Sequence, residues 1–130
     1  MPELFCLQKD IRQAAHLFKL AADQGNAVAQ TWLGTFYEDG RGGLPKDDRQ
    51  AARLFKLAAD QGNSFALARL CGANVGVSPE QKLESCTAVI KAGRETPQNL
   101  AIAFNNRGNV HLNLKDYDSA IADFNEAIRI

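Results

Sequence analysis

The chain has 130 residues, 45% hydrophobic and 23% charged, which suits one globular domain and excludes a disordered class. Its 15 basic and 15 acidic side chains cancel, so no net field favours nucleic acid or an anionic membrane. No apolar run approaches the roughly 20 residues that span a bilayer, and Met1 to Asp10 has neither the basic segment nor the cleavage site of a secretory signal.

Residues 1–8 carry no clear signal. The first helix is expected from Asp10 to Asp23. Within it Ala14, Leu17, Phe18, Ala21 and Ala22 fall on one stripe, and Gly25 stands where a left-handed C-terminal cap belongs. The stretch Ala14 to Asn26 returns at Ala51 to Asn63 with one substitution, His16 becoming Arg53. A repeat of that period signals a stacked helical array. The second helix is expected from Asn26 or Ala27 to Glu38, followed by a loop rich in glycine up to Lys46. Helix three runs from about Asp47 to Asp60, with Asp47 or Asp48 as its cap, and helix four from Ser64 to about Gly72. Ser78-Pro79 and Thr96-Pro97 each combine a capping hydroxyl with proline at the first helical position, opening helices five and six. Helix five ends at Ala92-Gly93, helix six at about Leu114, and helix seven runs from Tyr117 to Ile130. The short connections make successive helices antiparallel neighbours.

Two kinds of helix alternate. Ala-x3-Phe-x2-Ala appears as Ala14/Phe18/Ala21, Ala51/Phe55/Ala58 and Ala120/Phe124/Ala127, and more weakly as Ser85/Val89/Ala92. These are B helices. The helices between them share a small residue at Gly34, Cys71 and Gly108, which admits a close partner; these are A helices. The chain thus begins on a B helix. Phe18, Phe55 and Phe124 are expected to plug the gaps between neighbouring hairpins.

These residues resemble two families. Residues from about 9 to 72 resemble the Sel-1-like repeat through Ala29-Gln30, Leu33-Gly34, Tyr37, Gly40, Gly42, Pro45, Asp47, Ala51-Ala52, Ala58-Ala59 and Gly62-Asn63. Residues 101–130 resemble a tetratricopeptide repeat, with Phe104, Gly108, Ala120, Phe124 and Ala127 in register; Arg107 and His111 depart from the usual Leu and Tyr. The resemblance implies a single all-α domain over residues 1–130, a right-handed α-solenoid of about seven antiparallel helices. Residues 9–78 would form its Sel-1-like part and 79–130 its tetratricopeptide-like part.

Little in the chain suggests catalysis. Asp39 to Lys46 lacks the spacing of a phosphate loop and reads as a turn. Glu38 and Asp39 read as solvated carboxylates, and His16 is expected to face water. His111 takes an aromatic position of the tetratricopeptide pattern and is expected to pack in the core or groove, and two histidines on separate repeats make no metal set. Cys6, Cys71 and Cys86 form no CxxC and leave one cysteine over, which argues for a reducing, cytoplasmic setting. Cys71 and Cys86 read as small buried hydrophobes. Some secreted Sel-1-like proteins staple each hairpin with a cysteine pair, and that pairing reads as missing here.

One polar constellation stands out. Asn105, Asn109 and Asn113 recur at i, i+4 and i+8, although asparagine is a mediocre helix former. The tetratricopeptide resemblance implies that A helices line a concave groove, and an amide there can grip a peptide backbone as donor and acceptor. Thr31, Thr35 and Glu38 occupy the same positions in helix two. The expected function is a non-enzymatic scaffold that binds a protein or peptide partner in this groove, without cofactor or metal. The alternatives are self-association through uncapped ends, as a homodimer or a piece of a longer array, and, remotely, a β-lactamase-like hydrolase.

Overall fold

The computed structural model describes residues 2–130, with side chains from residue 8 onward. Seven helices follow one another: α1 (Pro2–Asp23), α2 (Ala27–Asp39), α3 (Asp48–Asp60), α4 (Ser64–Cys71), α5 (Pro79–Ala92), α6 (Pro97–Asn113) and α7 (Tyr117–Arg129). No strand occurs among the described residues. The chain forms two compact units, residues 1–66 and 67–130, with the division inside α4. Helix α1 begins at Pro2 rather than Asp10, since proline is at home in the first turn, where its missing N–H has no intrahelical role.

The repeated Gln-Gly-Asn triplet closes one helix and opens the next. After α1, Gly25 (φ 89°) donates to the Ala22 carbonyl at 2.9 Å and Asn26 to the Ala21 carbonyl at 3.1 Å. After α3, Gly62 (φ 84°) and Asn63 donate to Ala59 and Ala58 in the same way, at 2.8 and 3.1 Å. These pairs satisfy carbonyls that the helix end leaves over, in a left-handed turn that glycine adopts without strain. The Asn26 and Asn63 side chains then accept from Ala29 and Ala66, each at 2.9 Å, capping α2 and α4. Asp47 caps α3 by accepting from the Arg49 and Gln50 N–H groups. Ser78, Thr96 and Asp116 cap α5, α6 and α7. The Ser78 hydroxyl accepts from the Gln81 backbone N–H at 3.1 Å. Between α6 and α7 the left-handed position falls on Lys115 (φ 63°), where the other turns use glycine.

Each unit has its own core. In the first, Ala22 of α1, Ala29 and Leu33 of α2 and Leu54 of α3 form a buried cluster, with Phe18, Ala21, Tyr37 and Leu44 packed against it. The Phe18 ring stacks on Trp32 (6.2 Å between centroids) and meets Phe36 edge-on (5.6 Å). Buried Gln30 donates to the Ala22 carbonyl and accepts from the Gln61 amide at 3.0 Å, tying the ends of α1, α2 and α3. In the second unit Cys71, Cys86, Val89 and Ala103 are buried together, with Leu67 and Ile90 against them.

Two hairpins share one contact. A Cβ built on Gly34 would lie 2.8 Å from the Phe55 ring, and one on Gly108 would lie 2.8 Å from the Phe124 ring. The phenylalanines of α3 and α7 therefore seat on bare backbone inside their own hairpins, rather than between hairpins as the sequence suggested. Phe18 does bridge to the next element, α2.

The hairpin of α4 and α5 differs. Cys71 occupies the glycine position and is disulfide-bonded to Cys86, with Cα atoms 4.7 Å apart. This corrects the reading of both cysteines as unpaired hydrophobes and of the hairpin staple as missing. The cysteines lie 15 residues apart, a spacing that carries no signature, and only the antiparallel return of α5 brings them together. Cys6 lies outside the described side chains.

Phe55→Ala is expected to cost about 3–5 kcal/mol by emptying the Gly34 seat, and Gly34→Ala about 1–3 kcal/mol by forcing a methyl against the ring; urea unfolding measures both. Alkylation of the denatured chain followed by mass spectrometry should find two fewer reactive thiols before reduction than after. Reduction should lower stability by about 3 kcal/mol, as a loop of this length implies.

A candidate partner-binding face on α6

Thr96 and Pro97 set the start of α6, and its register then decides which side chains face solvent. Asn105, Asn109 and Asn113 are all exposed, in one stripe as predicted. Ile102 and Leu112 lie on the same face, each about half exposed. The face thus reads Ile102, Asn105, Asn109, Leu112: amide groups at the centre with an apolar side chain at either end. Asn106, one residue round the helix, turns inward, its amide 3.9 Å from the Cys71 sulfur.

Behind this face lies a charged network. The Arg107 guanidinium donates twice to buried Asp123, from Nε at 2.9 Å and Nη2 at 2.7 Å, and once to the Thr87 hydroxyl at 3.2 Å. It also lies over the Phe104 ring, 5.5 Å from the centroid. Half-buried His111 stands between two carboxylates, 3.6 Å from Asp116 and 3.8 Å from Asp123. The departures at Arg107 and His111 thus replace an apolar contact with a forked ion pair joining α5, α6 and α7, which fixes the rotation of α6. Asp116, the α7 cap, is held below its ordinary carboxylate value by the Ser119 side chain first, then the Ser119 backbone, and by His111. A depressed carboxylate stabilises the folded state above its ordinary range, so this cap is lost only as acid takes the pH down through the lowered value.

The other half of the predicted groove is different. Thr31 and Thr35 are buried, and their hydroxyls donate to the carbonyls one turn back, Ala27 at 2.9 Å and Thr31 at 3.1 Å. Small β-branched hydroxyl residues satisfy themselves this way inside a helix, so the two threonines do not form an exposed polar wall. Glu38 is half-buried at the end of α2. The exposed face of α2 is apolar instead, with Val28 and Trp32. They line a cavity of about 200 Å³ with Thr31, Asn63 and Phe65, and none of its lining residues is charged. One signal in the sequence pointed here: Val28, Phe65 and Ile102 recur at 37-residue intervals, one per A helix, and all three are exposed.

The glycine-rich segment after α2 is a packed turn. Gly40, Gly42 and Gly43 have positive φ, and a Cβ on Gly42 would lie 2.7 Å from Ala15 of α1. Asp47 donates to the Tyr37 carbonyl at 2.8 Å, closing the loop. His16 is exposed. Among the described residues no group of three or more potential ligands is placed to hold a metal, and no helix is long and apolar enough to cross a membrane.

Antiparallel helical hairpins with a shared A–B contact and recurring caps define an all-α helical-repeat protein. Residues 4–26 and 27–63 match the Sel1 repeat, and residues 101–130 match the tetratricopeptide repeat. The chain carries Sel1 repeats over residues 4–63 followed by a tetratricopeptide repeat over residues 101–130. The solved structure of a Sel1 repeat protein from Oxalobacter formigenes matches with a TM-score of 0.63 at 23% identity, over 91% of this chain and 49% of that one. A protective antigen of uropathogenic Escherichia coli with the same repeat fold matches with a TM-score of 0.61 at 28% identity, over 88% of this chain and 25% of that one. The chain therefore spans about half the length of the first and a quarter of the second. No curated protein sequence matches it. Helical repeats of this kind support protein-interaction scaffolds, whose extended surfaces are their means of binding.

Asp123→Ala is expected to cost about 3 kcal/mol, because the Arg107 guanidinium is left uncompensated, whereas Arg107→Leu with Asp123→Leu should be close to neutral. Thermal and urea unfolding of the two variants, measured side by side, would check the difference.

Proposed function

We propose that residues 1–130 act as one non-enzymatic helical-repeat domain that binds an extended peptide or protein segment, with the α6 face as its main contact. The observation that carries this reading is the exposed stripe Ile102, Asn105, Asn109 and Leu112. Asn113 extends it by a turn. Amides held on a rigid helix offer donors and acceptors to a backbone whatever its side chains, while the flanking Ile and Leu add apolar contact. On α2 Thr31 and Thr35 are buried and take no part in this contact. Hydrogen bonds alone, at about 0.5–1.5 kcal/mol each, would hold a peptide weakly, so both kinds of contact are required.

The cysteines also bear on the compartment. The one leftover cysteine argues for a reducing, cytoplasmic setting, and the Cys71–Cys86 bond weighs against it. A buried disulfide between two helices fits an oxidising compartment, and we assign the folded chain to one.

The binding test is a selection of extended peptides from a displayed library, followed by titration of the best binder. Asn105→Ala with Asn109→Ala should weaken it about tenfold or more, with helix content unchanged by circular dichroism. Undiminished affinity in the double variant removes the α6 face from the account.

A further inference from the structure

The middle of α1 and the turn after α2 enclose a cavity of about 250 Å³, lined by Gln8, Ile11, Arg12, Arg41, Gly42 and Gly43. Two of these residues are arginines and none is acidic. Both walls belong to the first unit. Gly42 (φ 69°) lies hard against α1, where a Cβ would come within 2.7 Å of Ala15 and 3.3 Å of the Ile11 carbonyl. Gly43 (φ 79°) lies alongside Arg12, whose Nε and Cγ would be 3.6 and 3.7 Å from a Cβ at that position. Arg12 forms no ion pair or hydrogen bond among the described residues. Arg41 is held from two sides, over the Phe36 ring at 4.9 Å from the centroid and by the Asp39 carboxylate at 3.1 Å. The Gly42 and Gly43 N–H groups donate to no acceptor among the described residues, although those of Arg41 and Leu44 on either side do. Lys46 is engaged elsewhere, by the Glu38 carbonyl and Asp48.

We propose that this cavity binds a phosphate group, carried either by the free ion or by a small phosphate monoester. Its donors are two guanidinium groups, the Gln8 amide and two glycine N–H groups. A carboxylate has too few oxygens to use them all, whereas the tetrahedral oxygens of a phosphate can accept from several directions at once. Arginine suits the role because its planar, permanently charged fork pairs with such oxygens through parallel N–H bonds. Asp39 already balances part of the Arg41 charge, so Arg12 is the principal countercharge. The glycines serve by what they lack. A side chain on Gly43 would crowd Arg12, and one on Gly42 would push the turn off α1. The next connection, residues 72–78, contains neither arginine nor lysine, so the site belongs to this turn and not to the repeat as such. It lies apart from the α6 face in the chain and does not depend on a peptide being bound there.

The test is an NMR titration of the isotope-labelled chain with sodium phosphate and, separately, with glycerol phosphate and with sodium acetate. Sodium chloride holds the ionic strength constant, so that general screening does not contribute. Saturable shifts centred on the Gly42 and Gly43 amides are expected with the two phosphate compounds. Arg12→Gln should weaken binding about tenfold, and Arg41→Gln by a smaller factor. Arg53→Gln, at an exposed position of α3, should leave it unchanged. Arg12 is exposed and without a partner, so its replacement should keep the fold, which the rest of the amide spectrum verifies. Tighter binding of glycerol phosphate identifies the ligand as a monoester and tighter binding of inorganic phosphate as the free ion; either supports the site. Shifts that rise without saturating, acetate bound as tightly as phosphate, or equal binding by Arg12→Gln and the parent overturn the proposal.

Discussion

The contact on which the hairpins depend is a phenyl ring laid on a residue that has no side chain. Phe55 on Gly34 and Phe124 on Gly108 approach the A-helix backbone more closely than a Cβ at either glycine would allow. At that separation the neighbouring positions of the A helix meet its partner whatever they are. Leu33 therefore joins a buried cluster, and Arg107, in the equivalent place, must find a countercharge, which it does in Asp123. Between these two hairpins the small glycine is replaced by Cys71, and the ring by a covalent link to Cys86. Two solutions to one packing problem thus serve three hairpins.

That register also decides what is left for function. Because α6 is held by Arg107 on its inner side, Asn105 and Asn109 are carried outward with Ile102 and Leu112. Because α2 buries the face carrying Thr31 and Thr35, its outward residues are Val28 and Trp32. The outward residues of each A helix are thus those that the close helix contact does not consume. They are polar at the centre of α6 and apolar on α2, since the residues inside the contact differ from one repeat to the next.

The periodic features were legible from the residues alone: seven helices, their caps, the alternation of A and B types, and the asparagine stripe. Each of these repeats a local signal such as Gln-Gly-Asn or Ser-Pro that acts within a few residues. What escaped notice depends on partners far apart in the chain. Cys71 and Cys86 meet only once α5 has turned back, and an odd third cysteine made an unpaired reading natural. Arg107 looked like a departure from a pattern until Asp123 and Thr87 stood beside it. The spacing of Thr31 and Thr35 matches that of the asparagines and suggests a wall, but a hydroxyl can satisfy itself on its own helix, whereas the longer asparagine amides of α6 stand exposed.

The triplet Gln-Gly-Asn ends α1 and α3 with the same pair of backbone bonds and begins α2 and α4 with the same side-chain cap. It acts as an interchangeable joint. An excision from Ala27 to Asn63 would remove one whole hairpin and rejoin the chain at Asn26 with a complete cap on either side of the cut. The nearly identical stretches around the two joints would also let unequal recombination perform such an excision, or its reverse, without damaging a helix end. Length can therefore vary in this kind of chain by whole hairpins while the local chemistry of every turn stays the same.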